Sequence, residues 1–201
     1  MKKLFLGLLV LMGVSGLAVA EGDAQAGKTK AAACAGCHGA DGNSAVAAFP
    51  KLAGQNVKYL IKQMNDIKSG ARSVPAMAGQ LDAKTDQDIE DIAAYFSSQF
   101  VSVGAADKDL VKLGEKVYRA GTKESGVSAC TACHSPTGKG NAMAGFPSLS
   151  GQHADYIAAQ LRAFREGERT NDGDAKMMRS VAFRLTNKEI DAVSSYISGL
   201  H

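Results

Sequence analysis

Cys34-Ala35-Gly36-Cys37-His38 returns 96 residues later as Cys130-Thr131-Ala132-Cys133-His134, and these two stretches decide how the 201-residue chain is read. In a helix, positions i, i+3 and i+4 share one face. Two thiols and an imidazole at this spacing can therefore act on one object. The thiols bond the vinyl groups of a porphyrin, and the histidine reaches its iron. C-x-x-C-H is the attachment signature of haem c. A redox dithiol needs no following histidine and normally sits in a βαβ context, which this sequence lacks. A zinc site could use two C-x-x-C pairs, but here each pair carries its own adjacent histidine. The residues point to two covalent haem c groups, one anchored by Cys34 and Cys37, the other by Cys130 and Cys133. His38 and His134 are the expected iron ligands.

The duplication runs well past the motifs. Phe49-Pro50-Lys51-Leu52-Ala53-Gly54-Gln55 recurs as Phe146-Pro147-Ser148-Leu149-Ser150-Gly151-Gln152, Tyr59 matches Tyr156, and Arg72 matches Arg169. Apolar stripes at helical spacing appear in both halves. Val57, Leu60, Ile61, Met64 and Ile67 form one, repeated by Ile157, Leu161 and Phe164. Ile89, Ile92, Ala93, Phe96 and Phe100 form another, repeated by Ile190, Val193, Ile197 and Leu200. Thr85 with Asp88, and Thr186 with Glu189, have capping-box spacing ahead of these last stripes. No β alternation competes. The chain reads as all-α, with domains at residues 21–101 and 102–201. Each half is a helix bearing the haem motif, a loop, a helix, a second loop and a capped terminal helix. The second half carries an insertion between Gly114 and Cys130.

Residues 1–20 read as an address. A basic start at Lys2 and Lys3 precedes an apolar run over residues 4–19, then the small-x-small site Ala18-Val19-Ala20 and polar Glu21. This is the pattern of a cleaved secretory signal peptide. The 16-residue run is short of the roughly 20 needed to span a bilayer. The composition, 45% hydrophobic and 21% charged, is ordinary for a soluble globular protein. A net charge of +3 without a basic run or an aromatic-basic ladder gives no case for nucleic acid. Residues 21–100 hold 8 basic and 9 acidic side chains, residues 101–201 hold 13 and 11, so the halves differ in sign.

The second axial position decides whether the iron is a carrier or an open site. Methionine sulfur favours reduced iron and raises the potential. In the first half, Met64 lies on an apolar stripe and reads as core, whereas Met77 sits in the Pro/Gly-marked loop Val74-Pro75-Ala76-Met77-Ala78-Gly79. In the second half Met143 aligns with Val46, which cannot ligate. Met77 lies 12 residues before Ile89 and Met178 lies 12 before Ile190, so register favours Met178 over Met177, with an upstream loop insertion able to shift it by one. His153 and His201 read as solvated. Arg72 and Arg169 read either as helix-end charges or as partners for haem propionates, which suit the planar guanidinium fork.

The paired haem motifs, the F-P-x-L-x-G-Q repeats, Pro75-Ala76-Met77 and the run Gly167-Glu168-Arg169-Thr170-Asn171-Asp172-Gly173-Asp174 leading to Met178-Arg179 together resemble the cytochrome c4 family over the mature chain. The resemblance implies two tandem class I cytochrome c domains, each wrapped around one covalently attached haem, with His/Met ligation in both. It implies a periplasmic dihaem electron carrier rather than an enzyme, moving electrons from a cytochrome bc-type complex or similar donor to a terminal oxidase. Its partners would be redox proteins, with peripheral association at a membrane allowed, and neither nucleic acid nor a small-molecule substrate. Two alternatives stand beside it: an electron-accepting subunit of a flavoprotein sulfide dehydrogenase, and a dihaem peroxidase. The latter needs a vacant or releasable iron position, against which the matched methionines argue.

Overall fold

The computed structural model describes residues 22–201; the signal peptide expected at residues 1–20 lies outside the described residues. The chain is helical, as the stripes predict. The first half contains α1 (Ala24–Lys30), α2 (Ala35–His38), α3 (Val57–Lys68) and α4 (Asp86–Ser97), with 3-10 turns at Ala32–Cys34 and Pro75–Met77. The second contains α5 (Val111–Ala120), α6 (Thr131–His134), α7 (Ala154–Glu166), α8 (Met177–Ala182) and α9 (Asn187–Ser198). Two isolated bridges, Thr122 with Val127 and Asn141 with Phe146, are the nearest approach to β structure among the described residues.

Each half is built on one helix crossing, α1 on α4 and α5 on α9. A glycine makes each crossing close. A Cβ on Gly27 would stand 1.9 Å from the Asp91 carbonyl oxygen, and one on Gly114 would stand 2.2 Å from that of Ala192. Glycine inside a helix costs about 1 kcal/mol relative to alanine, so at these positions backbone contact outweighs propensity. Asp23 starts α1 by accepting the Gln25 and Ala26 N–H groups. The expected capping boxes start α4, at Thr85 and Asp88, and α9, at Thr186 and Glu189.

The buried residues form two separate clusters. One gathers Ala31, Leu60, Ile92, Ala93, Tyr95 and Phe96, with Cys34, Leu52 and Met64 packed against it. The other centres on Val117, Tyr118, Ile157, Ile190, Val193 and Ile197, with Cys130 and Leu149 against it. Met64 is thus a packing residue. Phe100 departs from its stripe: α4 ends at Ser97, and Phe100 is 94% exposed. Leu200, which closes the matching stripe of the second half, stays buried.

The helix expected to bear each haem motif is a short one, α2 or α6, set apart from the helix before it. In the first half a 3-10 turn separates α1 from α2. In the second, ten residues holding the Thr122–Val127 bridge separate α5 from α6. His38 and His134 each end a four-residue helical turn, and the next residue, Gly39 or Ser135, adopts positive φ (80° and 66°).

Candidate haem centres

Both motif histidines are buried and held the same way. His38 Nδ1 lies 2.9 Å from the Pro50 carbonyl oxygen, and His134 Nδ1 lies 3.1 Å from that of Pro147. A carbonyl can only accept, so Nδ1 must carry the proton, and Nε2 of the neutral ring keeps its lone pair for a metal. Burial pushes both imidazoles below their usual pKa, against a smaller opposing effect of the proline carbonyl. Both rings are therefore neutral at physiological pH. Each also packs near a phenylalanine of the repeated segment, Phe49 at 6.4 Å and Phe146 at 6.3 Å between centroids. The Phe-Pro pair of F-P-x-L-x-G-Q thus positions the imidazole, a role its sequence did not announce.

None of the four cysteines is in a disulfide; Cys37 and Cys133 are exposed, and Cys34 and Cys130 are partly buried. Burial pushes the Cys34 thiol up and the Cys130 thiol up to about 11. In each pair the first cysteine stands at the N-terminal end of the turn that carries the histidine, and the second lies within the turn, next to the histidine. This donor set fits haem c: two unpaired thiols and one bare imidazole nitrogen per domain.

The methionines lie on other segments. Met77 closes its 3-10 turn, is half-buried, and lines a hollow of about 220 Å³ with Ile67, Arg72, Val74, Pro75 and Leu81. Met177 and Met178 open α8; Met178 is half-buried, whereas Met177 is 48% exposed. Met143 is 88% exposed.

The repeated glutamines join the domains. Gln55 accepts the Ser148 N–H and donates to the Ser148 carbonyl, both at 2.8 Å. Gln152 does the same to Lys51, again at 2.8 Å. His153, expected to be solvated, instead reaches the Ser44 carbonyl across the seam (2.8 Å), as its counterpart Asn56 reaches that of Phe146 (2.7 Å). Arg72 and Arg169 are not exposed helix-end charges; both are buried. Each reaches the other domain's tyrosine, Arg72 to Tyr156 (3.0 Å) and Arg169 to Tyr59 (3.1 Å). No single-residue property marks these contacts. The repeat itself is the signal, because a motif copied with its polar residues intact need not serve only its own domain.

Two helical domains, each presenting paired thiols and a carbonyl-oriented neutral imidazole, define a c-type cytochrome with two haems. The cytochrome c family profile matches residues 24–99 and 111–201. The chain is 60% identical to cytochrome c4 of Pseudomonas aeruginosa over 201 residues, covering all of both proteins. It superposes on the crystal structure of reduced recombinant cytochrome c4 from Pseudomonas stutzeri with a TM-score of 0.88 at 58% identity, covering 90% of this chain and 100% of that one. A more distant relative, named thiosulfate dehydrogenase electron acceptor in Stutzerimonas stutzeri, is 38% identical over 182 residues, 88% of this chain and 83% of that protein. This chain belongs to the cytochrome c4 family. It carries two covalently bound haem c groups and works as an electron-transfer protein with redox protein partners. Among the described residues no helix is long and apolar enough to cross a membrane.

Proposed function

We propose that this is a periplasmic carrier between a cytochrome bc-type complex and a terminal oxidase, built as domains dividing near residue 101. In this reading Cys34, Cys37, Cys130 and Cys133 would hold the haems through thioethers, and His38 with Met77 and His134 with Met178 would supply the iron's ligands. The observation that carries it is the matched pair of Nδ1–carbonyl bonds, which leaves a bare Nε2 in both domains. The haem, when bound, supplies one-electron iron chemistry. The chain's part is to keep both imidazoles neutral and oriented, to bury the site and to bring a soft sulfur from a separate segment. Met178 is favoured over Met177 by repeat register and by burial matching that of Met77.

The test is the far-red sulfur–iron band of the oxidised protein. Met77→Ala and Met178→Ala should each remove about half of it, since each domain contributes one bond, and Met177→Ala should leave it intact. Loss on Met177→Ala instead would reassign the ligand. Readily binding carbon monoxide at neutral pH, or turning over peroxide, would point to the peroxidase alternative.

A second reading has a specific observation behind it, the relative named thiosulfate dehydrogenase electron acceptor. Here the electron source is a sulfur-compound dehydrogenase, as in the sulfide dehydrogenase alternative. Stoichiometric co-purification with such an enzyme from the native host would decide for it.

A further inference from the structure

Among the described residues two that are not glycine take positive φ, Ser135 (66°) and Lys176 (49°). Both belong to the second domain, and each stands beside a residue proposed as its iron ligand. Ser135 follows His134, and Lys176 comes two before Met178. In the first domain the same places hold Gly39, which adopts φ 80° freely, and Pro75, whose ring keeps φ negative. Ser135 is the more strained of the pair. At φ 66° and ψ 160° it occupies a region that is essentially glycine's alone. Such a conformation persists only where the surroundings impose it.

What imposes it is a bond that the first domain lacks. The Ser135 carbonyl accepts the Gly138 N–H (3.2 Å), as the Gly39 carbonyl accepts the Gly42 N–H (3.1 Å). It accepts the Tyr118 hydroxyl as well, at 2.7 Å. Tyr118 has no exposed surface and comes from α5, four residues after the crossing glycine Gly114. Four residues after Gly27 the first domain has Ala31, which cannot make this bond. There Tyr95 of α4 reaches one residue further along, to the Ala40 carbonyl (2.7 Å), and leaves Gly39 alone. Tyr196, the match of Tyr95, has its hydroxyl bonded by Arg119 instead (3.0 Å). The tyrosine that anchors the motif thus comes from a different helix in each domain, and in the second its target adjoins the histidine. The Gly140 N–H holds the His134 carbonyl (2.9 Å), and the Pro147 carbonyl fixes Nδ1 of the ring.

We propose that Tyr118 is a positioning residue for the second haem: its hydroxyl holds Ser135 in the strained conformation that aims the His134 imidazole, and so sets that haem's potential separately from the first. This rests on the two-haem reading above. Bonds that orient a histidine ligand tune the metal it binds, and a device present in one domain alone separates the two haems.

The experiment uses the full holoprotein: wild type, Tyr118→Phe, Ser135→Gly, the double variant carrying both, and Tyr95→Phe and Tyr196→Phe for comparison. Haem content is measured first; fewer than two haems in wild type would sink the haem reading rather than this one. The two midpoint potentials and the hyperfine-shifted proton resonances of the ferric protein are then read. Tyr118→Phe keeps the ring and its packing but frees the turn. One potential should rise, by roughly tenfold in that haem's ferrous-to-ferric ratio, the low end for losing an orienting bond. The direction follows because an imidazole held less firmly donates less to ferric iron. One haem's shifted resonances should move while the other's stay. Ser135→Gly alone should leave both potentials in place. In the double variant the moved potential should return, because glycine keeps this φ without a hydroxyl to hold it, as Gly39 does. Tyr95→Phe and Tyr196→Phe should move neither haem.

Unmoved potentials and resonances in Tyr118→Phe would overturn the proposal, and so would a double variant that stays shifted. An equal shift in Tyr95→Phe or Tyr196→Phe would overturn it too, since loss of any such hydroxyl would then suffice. If Tyr118→Phe does not accumulate, the double variant decides: recovery with wild-type potentials supports the strained turn, and failure to recover refutes it.

Discussion

The two domains close the same helix crossing with different chemistry. In the first, Lys30 reaches Asp88 (2.8 Å) and Asp91 (2.5 Å), and Asp91 also accepts the Asp23 N–H (2.8 Å). In the second, the corresponding place below α9 holds Ala192, and α5 brings Val117 and Tyr118, both with no exposed surface. Tyr118 packs on Tyr196 at 5.6 Å, and Arg119 lies over the Tyr196 ring at 5.9 Å and bonds its hydroxyl. What the halves share is the glycine backbone contact; what they do not share is the side chains around it. Replacing a buried ion pair by well-packed apolar groups is often close to neutral in stability. The backbone approach is therefore the conserved mechanical element of the repeat, and the two halves differ in their response to pH rather than in shape.

The strongest way to break this comparison is to fill the crossing glycines. Gly27→Ala and Gly114→Ala push a methyl group into a backbone carbonyl, and each should destabilise its own domain by about 3 kcal/mol, the upper range for overpacking. Thermal unfolding, with hydrogen exchange in α4 and α9 to assign the domain, checks this. Tolerance of one substitution but not the other would mean the crossings are not equivalent.

A smaller effect comes from the ion pair. Bonds from Lys30 hold the Asp88 and Asp91 carboxyls well below the usual carboxylate range. Carboxyls depressed in the folded state contribute stability that is full above about pH 4, the unfolded value, and lost as pH falls through the folded values. An acid titration should thus unfold the first domain with a steeper slope than the second. Lys30→Met should lower the first domain's melting temperature at pH 7 and flatten that slope. Adding Asp91→Ala, which imitates the second domain, should recover stability.

The smallest effect should be symmetric. Thr85→Ala and Thr186→Ala each remove a capping box, at about 1 kcal/mol, and the two losses should agree when read by denaturant midpoints.

The haem motifs, the capped terminal helices and the buried stripes were legible because each depends on local spacing. Ile89, Ile92 and Phe96, and their partners Ile190, Val193 and Ile197, are buried as their periodicity implies. The opening helices α1 and α5 were hidden, since the glycines that let them pack are poor helix formers and interrupt the stripe. Phe100 was misplaced because periodicity does not say where a helix ends. His153, Arg72, Arg169 and the two glutamines were visible as repeats, but their bonds cross between domains. Local pattern carries no information about a partner 84 to 110 residues away.

The glutamine clasp has a consequence for ancestry. Gln55 grips Ser148 as Gln152 grips Lys51, so the same patch serves both sides of the joint. Such a surface is self-complementary, like the contact of a twofold dimer. A gene encoding one half already contains everything needed to recognise a twin, and tandem duplication would only have to tether two molecules that could already meet. The joint itself does not depend on the side chains that differ in charge between the copies, such as Lys30 and Val117.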